Sequence, residues 1–149
     1  MRVIVSPTPP IKMLIKLTNT ASISIRKKRK IVNLLGTGKP LREFIHADDL
    51  GNAIFKSLKI SKKDIFKNFK NKLPIINIGT NEEVSIKKLS QMISSIYNYN
   101  GKITFDPRFP DGTFRKKLNS NIIRKYGWLP KITLLQGLES LIKIRRQKL

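Results

Sequence analysis

Two short stretches hold most of the residues that can do chemistry. In the first, Gly36-Thr37-Gly38 is followed four residues on by Arg42. The glycines suit a tight turn or a loop whose backbone comes close to a ligand, and the guanidinium offers a fixed fork for phosphate oxygens. An ion pair of Arg42 with Glu43, Asp48 or Asp49 is the competing structural reading. In the second, Pro110-Asp111-Gly112-Thr113 leads into Arg115-Lys116-Lys117, so one carboxylate is presented just before three cations. Asp111 can accept from ribose hydroxyls or a purine N–H edge while Lys116 neutralises phosphate charge. A solvated basic loop explains the same residues equally well. His46 is the only histidine and lacks a partnered nucleophile or ligand set, so it reads as structural. Trp128, in Tyr126-Gly127-Trp128-Leu129-Pro130, reads as packing at a helix end. No Ser/His/Asp set, paired-carboxylate geometry or Gly-Lys-Ser/Thr phosphate loop can be assembled. The residues alone support a phosphate-containing ligand.

These groups must be positioned by alternating strands and helices. Val3-Ile4-Val5 reads as a short strand, broken by Pro7, Pro9 and Pro10; Ile11, Leu14, Ile15 and Leu17 can line a helix that lacks a cap. Residues 30–35 read as a strand ended by the Gly36 turn, and residues 42–46 as a short extended piece. Asp48 or Asp49 is expected to cap a helix over about 48–60 with Leu50, Ala53, Ile54 and Leu58 inward. A Lys-rich loop over 61–72 precedes a strand over 73–79, whose apolar run has the look of one covered on both faces. Ser85 caps a helix over 86–98, and 102–106 is another strand. Asn119 or Ser120 starts a short helix that Gly127 can end. Thr133 and Gln136 form a capping box for a last helix with Leu134, Leu138, Leu141 and Ile142 on its core face. The class is α/β.

Composition bounds the function further. The 149 residues carry 31 Lys and Arg against 9 acidic residues, a formal charge of +22, and 40% are hydrophobic, which excludes a disordered polycation. The charge invites a nucleic-acid reading. However, 22 of the cations are Lys, and Ile (22) and Asn (11) rise with it, the mark of a chain-wide bias. Aromatic residues are 7% and are not interleaved with the basic runs, so nucleic acid is not the expected partner. The run Arg26 to Lys30 reads as a solvated loop. With no cysteine and one histidine, disulfides, thiolate zinc and a cysteine nucleophile are excluded, and a transition-metal centre is not expected. No apolar run approaches the roughly 18 residues of a membrane span, and no secretory signal is visible. A cytoplasmic protein without membrane partners is expected.

In order along the chain, several segments resemble the GDP-L-fucose synthase family of extended short-chain dehydrogenase/reductases. They are Gly36-Thr37-Gly38-Lys39-Pro40-Leu41-Arg42-Glu43-Phe44-Ile45-His46, Asp48-Asp49-Leu50, Ile76-Asn77-Ile78-Gly79-Thr80, Phe105-Asp106, Pro110-Asp111-Gly112-Thr113, Arg115-Lys116 and Tyr126-Gly127-Trp128. The Arg-Glu-Phe and Asp-Asp pieces are shared by many nucleotide-sugar epimerases; Pro-Asp-Gly-Thr-x-Arg-Lys is the specific one. The likeness covers about 31–145. It implies the C-terminal, substrate-binding part of an extended Rossmann-type reductase, with the N-terminal dinucleotide-binding part largely missing. On this reading residues 1–30 are a remnant or linker, and 31–149 a nucleotide-sugar-binding α/β domain.

The family converts GDP-4-keto-6-deoxy-D-mannose to GDP-L-fucose by epimerising C3 and C5 and reducing C4 with NADPH, typically as a homodimer. Carried over, the resemblance puts Arg42, Asp111 and Lys116 at substrate positions and Leu35 where a Trp often lines the site; Phe114 replaces a usual Pro. No Gly-rich NADP loop is present, and none of Tyr97, Tyr99 or Tyr126 has a Lys four residues later. No catalytic residue and no productive NADP(H) binding are therefore expected of this chain alone. The alternatives are another nucleotide-sugar epimerase or dehydratase, a basic nucleic-acid module, or a non-functional gene remnant.

Overall fold

The computed structural model describes residues 2–5, 29–69 and 74–147. The expected helix near 11–17 and most of the basic run before Lys30 lie outside the described residues. Strand β1 (Arg2–Val5) pairs in parallel with β4 (Ile75–Ile78), from Arg2↔Ile75 to Val5↔Ile78. Strand β2 (Ile31–Leu35) pairs in parallel with β6 (Lys102–Asp106), from Ile31↔Lys102 to Leu35↔Asp106. A three-stranded sheet has β3 (Leu41–Glu43) between antiparallel β5 (Glu83–Ser85) and parallel β7 (Arg115–Lys116).

Five helices complete the described residues: α1 (Ala47–Leu58), α2 (Lys62–Phe69), α3 (Ile86–Ile96), α4 (Asn121–Lys125) and α5 (Leu134–Gln147). Local chemistry sets most of their ends. Ser85 accepts from the Lys88 N–H at 3.1 Å and starts α3. At α5 the Gln136 N–H donates to Thr133 Oγ1 (3.3 Å) and the Thr133 N–H to Gln136 Oε1 (2.9 Å), the reciprocal capping box. Gly127, at φ 74°, follows α4, whose first N–H donates to the Asn119 side chain at 3.0 Å.

Four expectations are corrected. Neither Asp48 nor Asp49 caps α1; His46 does, its Nδ1 accepting from the Asp48 N–H at 3.3 Å. Asp49 is instead buried and accepts the N–H groups of Lys131 (3.0 Å) and Ile132 (2.8 Å), tying α1 to the approach of α5. The inward face of α1 is Asp49, Ala53 and Ser57, so Ile54 and Leu58 face outward. The Lys-rich 61–72 segment contains α2, because Ser61 and Asp64 form their own box: the Asp64 N–H donates to Ser61 Oγ (3.1 Å) and Ser61 Oγ to Asp64 Oδ2 (2.7 Å). Strand β4 alternates, with Ile76 and Ile78 buried and Ile75 and Asn77 half-buried, so it is not sealed on both faces.

Two apolar clusters hold these layers. Val32 and Leu34 of β2 meet Leu89 and Ile93 of α3 and Leu138 of α5. Ala53 of α1, Ile76 and Ile78 of β4, and Ile123 of α4 meet Trp128. Each fully buried Ile or Leu contributes about 1.5–3 kcal/mol, so the clusters hold α3 and α5 against β2, and α1 and α4 against β4.

Candidate functional site

The first cluster is built on the turn between β2 and β3. Gly36 has φ 83° and donates its N–H to the Asp106 carbonyl at 2.9 Å, closing β2 against the end of β6. A Cβ at Gly36 would collide with Oδ1 of Asp111, so a larger residue is barred by both backbone and space. Thr37 grips the same carboxylate, its N–H donating to Asp111 Oδ1 at 2.9 Å and its hydroxyl to Oδ2. The Thr37 hydrogen bonds, ahead of the nearby Lys39 and Arg42 charges, hold the Asp111 carboxyl below the usual Asp range. An ionised carboxylate has about four acceptor positions. Thr37 uses two of them, leaving Asp111 room for a ligand's donors.

Arg42, in the middle of β3, is 5% exposed. One terminal nitrogen donates to the Leu41 carbonyl (2.6 Å) and approaches the Phe114 carbonyl (3.5 Å). A Cβ at Gly112 would lie 3.6 Å from the other, so the Asp111–Phe114 loop lies against the guanidinium. Among the described residues Arg42 makes no ion pair with Glu43, Asp48 or Asp49. Its Nε and second terminal nitrogen have no hydrogen-bond partner there. Lys116 of β7 is the direct register partner of Arg42 and is exposed. Neighbouring parallel strands lie about 4.8 Å apart with aligned side chains on the same face. The structure thus sets Lys116 beside Arg42 in the strand register and the Asp111–Phe114 loop against the Arg42 guanidinium.

The other sequence candidates are placed differently. Leu35 ends β2 beside Gly36 and is 61% exposed. Arg115 is committed to Glu83: its Nε lies 2.9 Å from both carboxylate oxygens and a terminal nitrogen 2.5 Å from Oε2. That clamp lowers the Glu83 pKa, the Arg115 hydrogen bond being the main cause, and braces β5 to β7 across β3. His46 is the α1 cap and Trp128 is buried packing. Sequence reasoning missed Glu43, 1% exposed and hydrogen-bonded to two segments around β3. Its position next to Arg42 was the one available signal.

The Gly36-Thr37-Gly38 turn does not fit a dinucleotide. It joins strand to strand rather than strand to helix, and its Gly36 and Thr37 amides are engaged by Asp106 and Asp111. Among the described residues no group of three His, Asp or Glu side chains can hold a metal, and no helix is long and apolar enough to cross a membrane.

No family model matches the chain. Solved structures share its fold. A GDP-6-OMe-4-keto-L-xylo-heptose reductase from Campylobacter jejuni superposes with TM-score 0.75 at 26% identity, covering 99% of this chain and 52% of that one. A GDP-L-fucose synthetase from Naegleria fowleri with NADP bound gives 0.72 at 20% identity, covering 89% and 39%. The fold is that of the extended Rossmann-type short-chain dehydrogenase/reductases, over about half of such a chain. Within that class the sequence is similar to GDP-L-fucose synthases. The chain is 39% identical over 103 residues to a probable GDP-L-fucose synthase 1 of Oryza sativa, and 36% identical over 105 residues to the GDP-L-fucose synthase of Escherichia coli. These matches cover 69% and 70% of this chain but 29% and 33% of those proteins, so the chain spans about a third of their length.

Proposed function

We propose that this chain binds the GDP part of a GDP-linked keto-deoxy sugar and belongs to the substrate side of GDP-L-fucose formation. Arg42 and Lys116 would hold the diphosphate from two sides, and the carboxylate of Asp111 would accept from ribose or guanine donors. One observation carries the reading: Arg42 and Lys116 are register partners in adjacent strands, and the loop that bears Asp111 lies against the guanidinium. The Arg42 Nε and second terminal nitrogen, unpartnered and reachable from solvent, are free to donate to an anion. Leu35, exposed beside the Gly36 turn, is the candidate apolar wall for the sugar.

In that reaction NADPH supplies the hydride for C4, and a tyrosine beside a lysine moves the proton. The 149 residues contain no Tyr-x-x-x-Lys, so this chain is expected to hold nucleotide sugar without turning it over. The test is calorimetric titration with GDP and UDP, beside an NADPH-oxidation assay with the keto sugar. GDP should bind, UDP poorly, Arg42→Ala and Lys116→Ala should each weaken GDP about tenfold or more, and no NADPH should be consumed. Equal affinity for both nucleotides would move the assignment to another nucleotide-sugar enzyme. NADPH oxidation by the pure chain would overturn the binding-only reading.

A further inference from the structure

Glu43 is a buried charged group that the proposed function leaves without a role. It is 1% exposed and has no cation within ion-pairing distance there, yet a buried lone carboxylate costs several kcal/mol unless other groups solvate it. Here the backbone does so. Oε1 accepts the Asn81 N–H at 2.5 Å and lies 3.5 Å from the Thr80 hydroxyl, while Oε2 accepts the Leu118 N–H at 3.3 Å. Gly79 completes the enclosure: a Cβ there would lie 2.6 and 2.7 Å from the two carboxylate oxygens. One side chain on β3 therefore fastens the β4–β5 connection and the residues just after β7. The second attachment matters for the site. Strand β7 is two residues long and Leu118 lies two residues beyond Lys116. Without that tie, little but the β3 ladder and the Arg115–Glu83 clamp would set where Lys116 stands.

We infer that Glu43 is a positioning residue for nucleotide-diphosphate binding: by accepting the Leu118 N–H it sets the place of Lys116 beside Arg42. The inference rests on the proposed GDP reading but has an arm independent of it. Glu43→Gln keeps the shape and replaces one acceptor oxygen with a donor. It should weaken GDP about tenfold, which is about 1.4 kcal/mol, and in a Lys116→Ala background it should change affinity by less than about twofold, since its effect passes through Lys116. Asp49→Asn, at the other buried carboxylate that accepts backbone N–H groups, should lower stability and leave GDP affinity unchanged. Hydrogen exchange is the independent arm: Glu43→Gln should expose the Leu118 and Asn81 amides and spare those of Lys131 and Ile132. Should Glu43→Gln fail to fold, Glu43→Asp, which keeps the charge and shortens the reach, carries the same expectations. A folded Glu43 variant with wild-type GDP affinity, fully additive effects with Lys116→Ala, or unchanged Leu118 exchange would overturn the inference. Failure of the wild-type chain to bind GDP, with Leu118 exchange altered as expected, would instead remove the GDP reading and leave Glu43 a fastener of β7 alone.

Discussion

At the scale of single residues, each charged group's capacity to bind a ligand is set by how committed it already is. Arg42 is buried with donors to spare, Arg115 is occupied by Glu83, and Asp111 is half occupied by Thr37. Replacing Arg42 by Lys keeps the charge and loses the fork, so GDP affinity should fall about tenfold (~1.4 kcal/mol), measured by calorimetry. Wild-type affinity in that variant would show that a point charge suffices. Asp111 makes a pH prediction. Its folded pKa is depressed, chiefly by Thr37, so the stability it adds is present above the ordinary Asp value of 3.8 and is lost as pH falls through its folded value. Thr37→Val should move the Asp111 carboxyl up toward that ordinary value in a carbon-detected NMR titration. An unmoved titration would mean that Lys39 and Arg42, not Thr37, set it. Residue types and spacing were enough to single out Arg42, Asp111 and Lys116. The commitment of Arg115 was not legible there, because its partner Glu83 is 32 residues away and two strands across.

At the scale of elements, what could be read from the sequence was local. The Ser85 cap and the Thr133–Gln136 box are encoded within four residues, and both stand in the structure. Thr133→Ala should cost about 1 kcal/mol of stability, read by denaturant unfolding; no change would mean that the start of α5 is held by Asp49 instead. Two short strands escaped notice. β5 and β7 have three and two residues and exist because β3 lies between them to take up their hydrogen bonds, which no local pattern announces. The α1 face differs from the expected one for a similar reason. Leu50, Ala53, Ile54 and Leu58 fit a helical stripe, yet packing on β4 and α4 turns Ala53 and Ser57 inward and leaves Phe55 and Leu58 at 61% and 69% exposure. Periodicity gives the existence of a buried face more securely than its rotation.

At the scale of the whole molecule, two apolar clusters hold the helices against the strands, one joining β2 to α3 and α5 and the other joining β4 to α1 and α4. Trp128 anchors one of them at 4% exposure, so Trp128→Ala should cost about 3–5 kcal/mol and, by loosening the α4 side, weaken GDP binding as well. Denaturant midpoints and titrations on the same samples would check this; lost stability with unaltered GDP affinity would separate that cluster from the site. The net charge of +22 belongs to this scale too. GDP affinity should depend only modestly on salt, as expected for one diphosphate, whereas a nucleic-acid module releasing many counterions would lose binding steeply. The most direct measurement is a crystal structure of this chain with GDP. Diphosphate oxygens should lie within hydrogen-bonding distance of the Arg42 guanidinium and the Lys116 ammonium, with ribose or guanine donors at Asp111. A diphosphate bound elsewhere, with Arg42 and Lys116 both untouched, would contradict that placement.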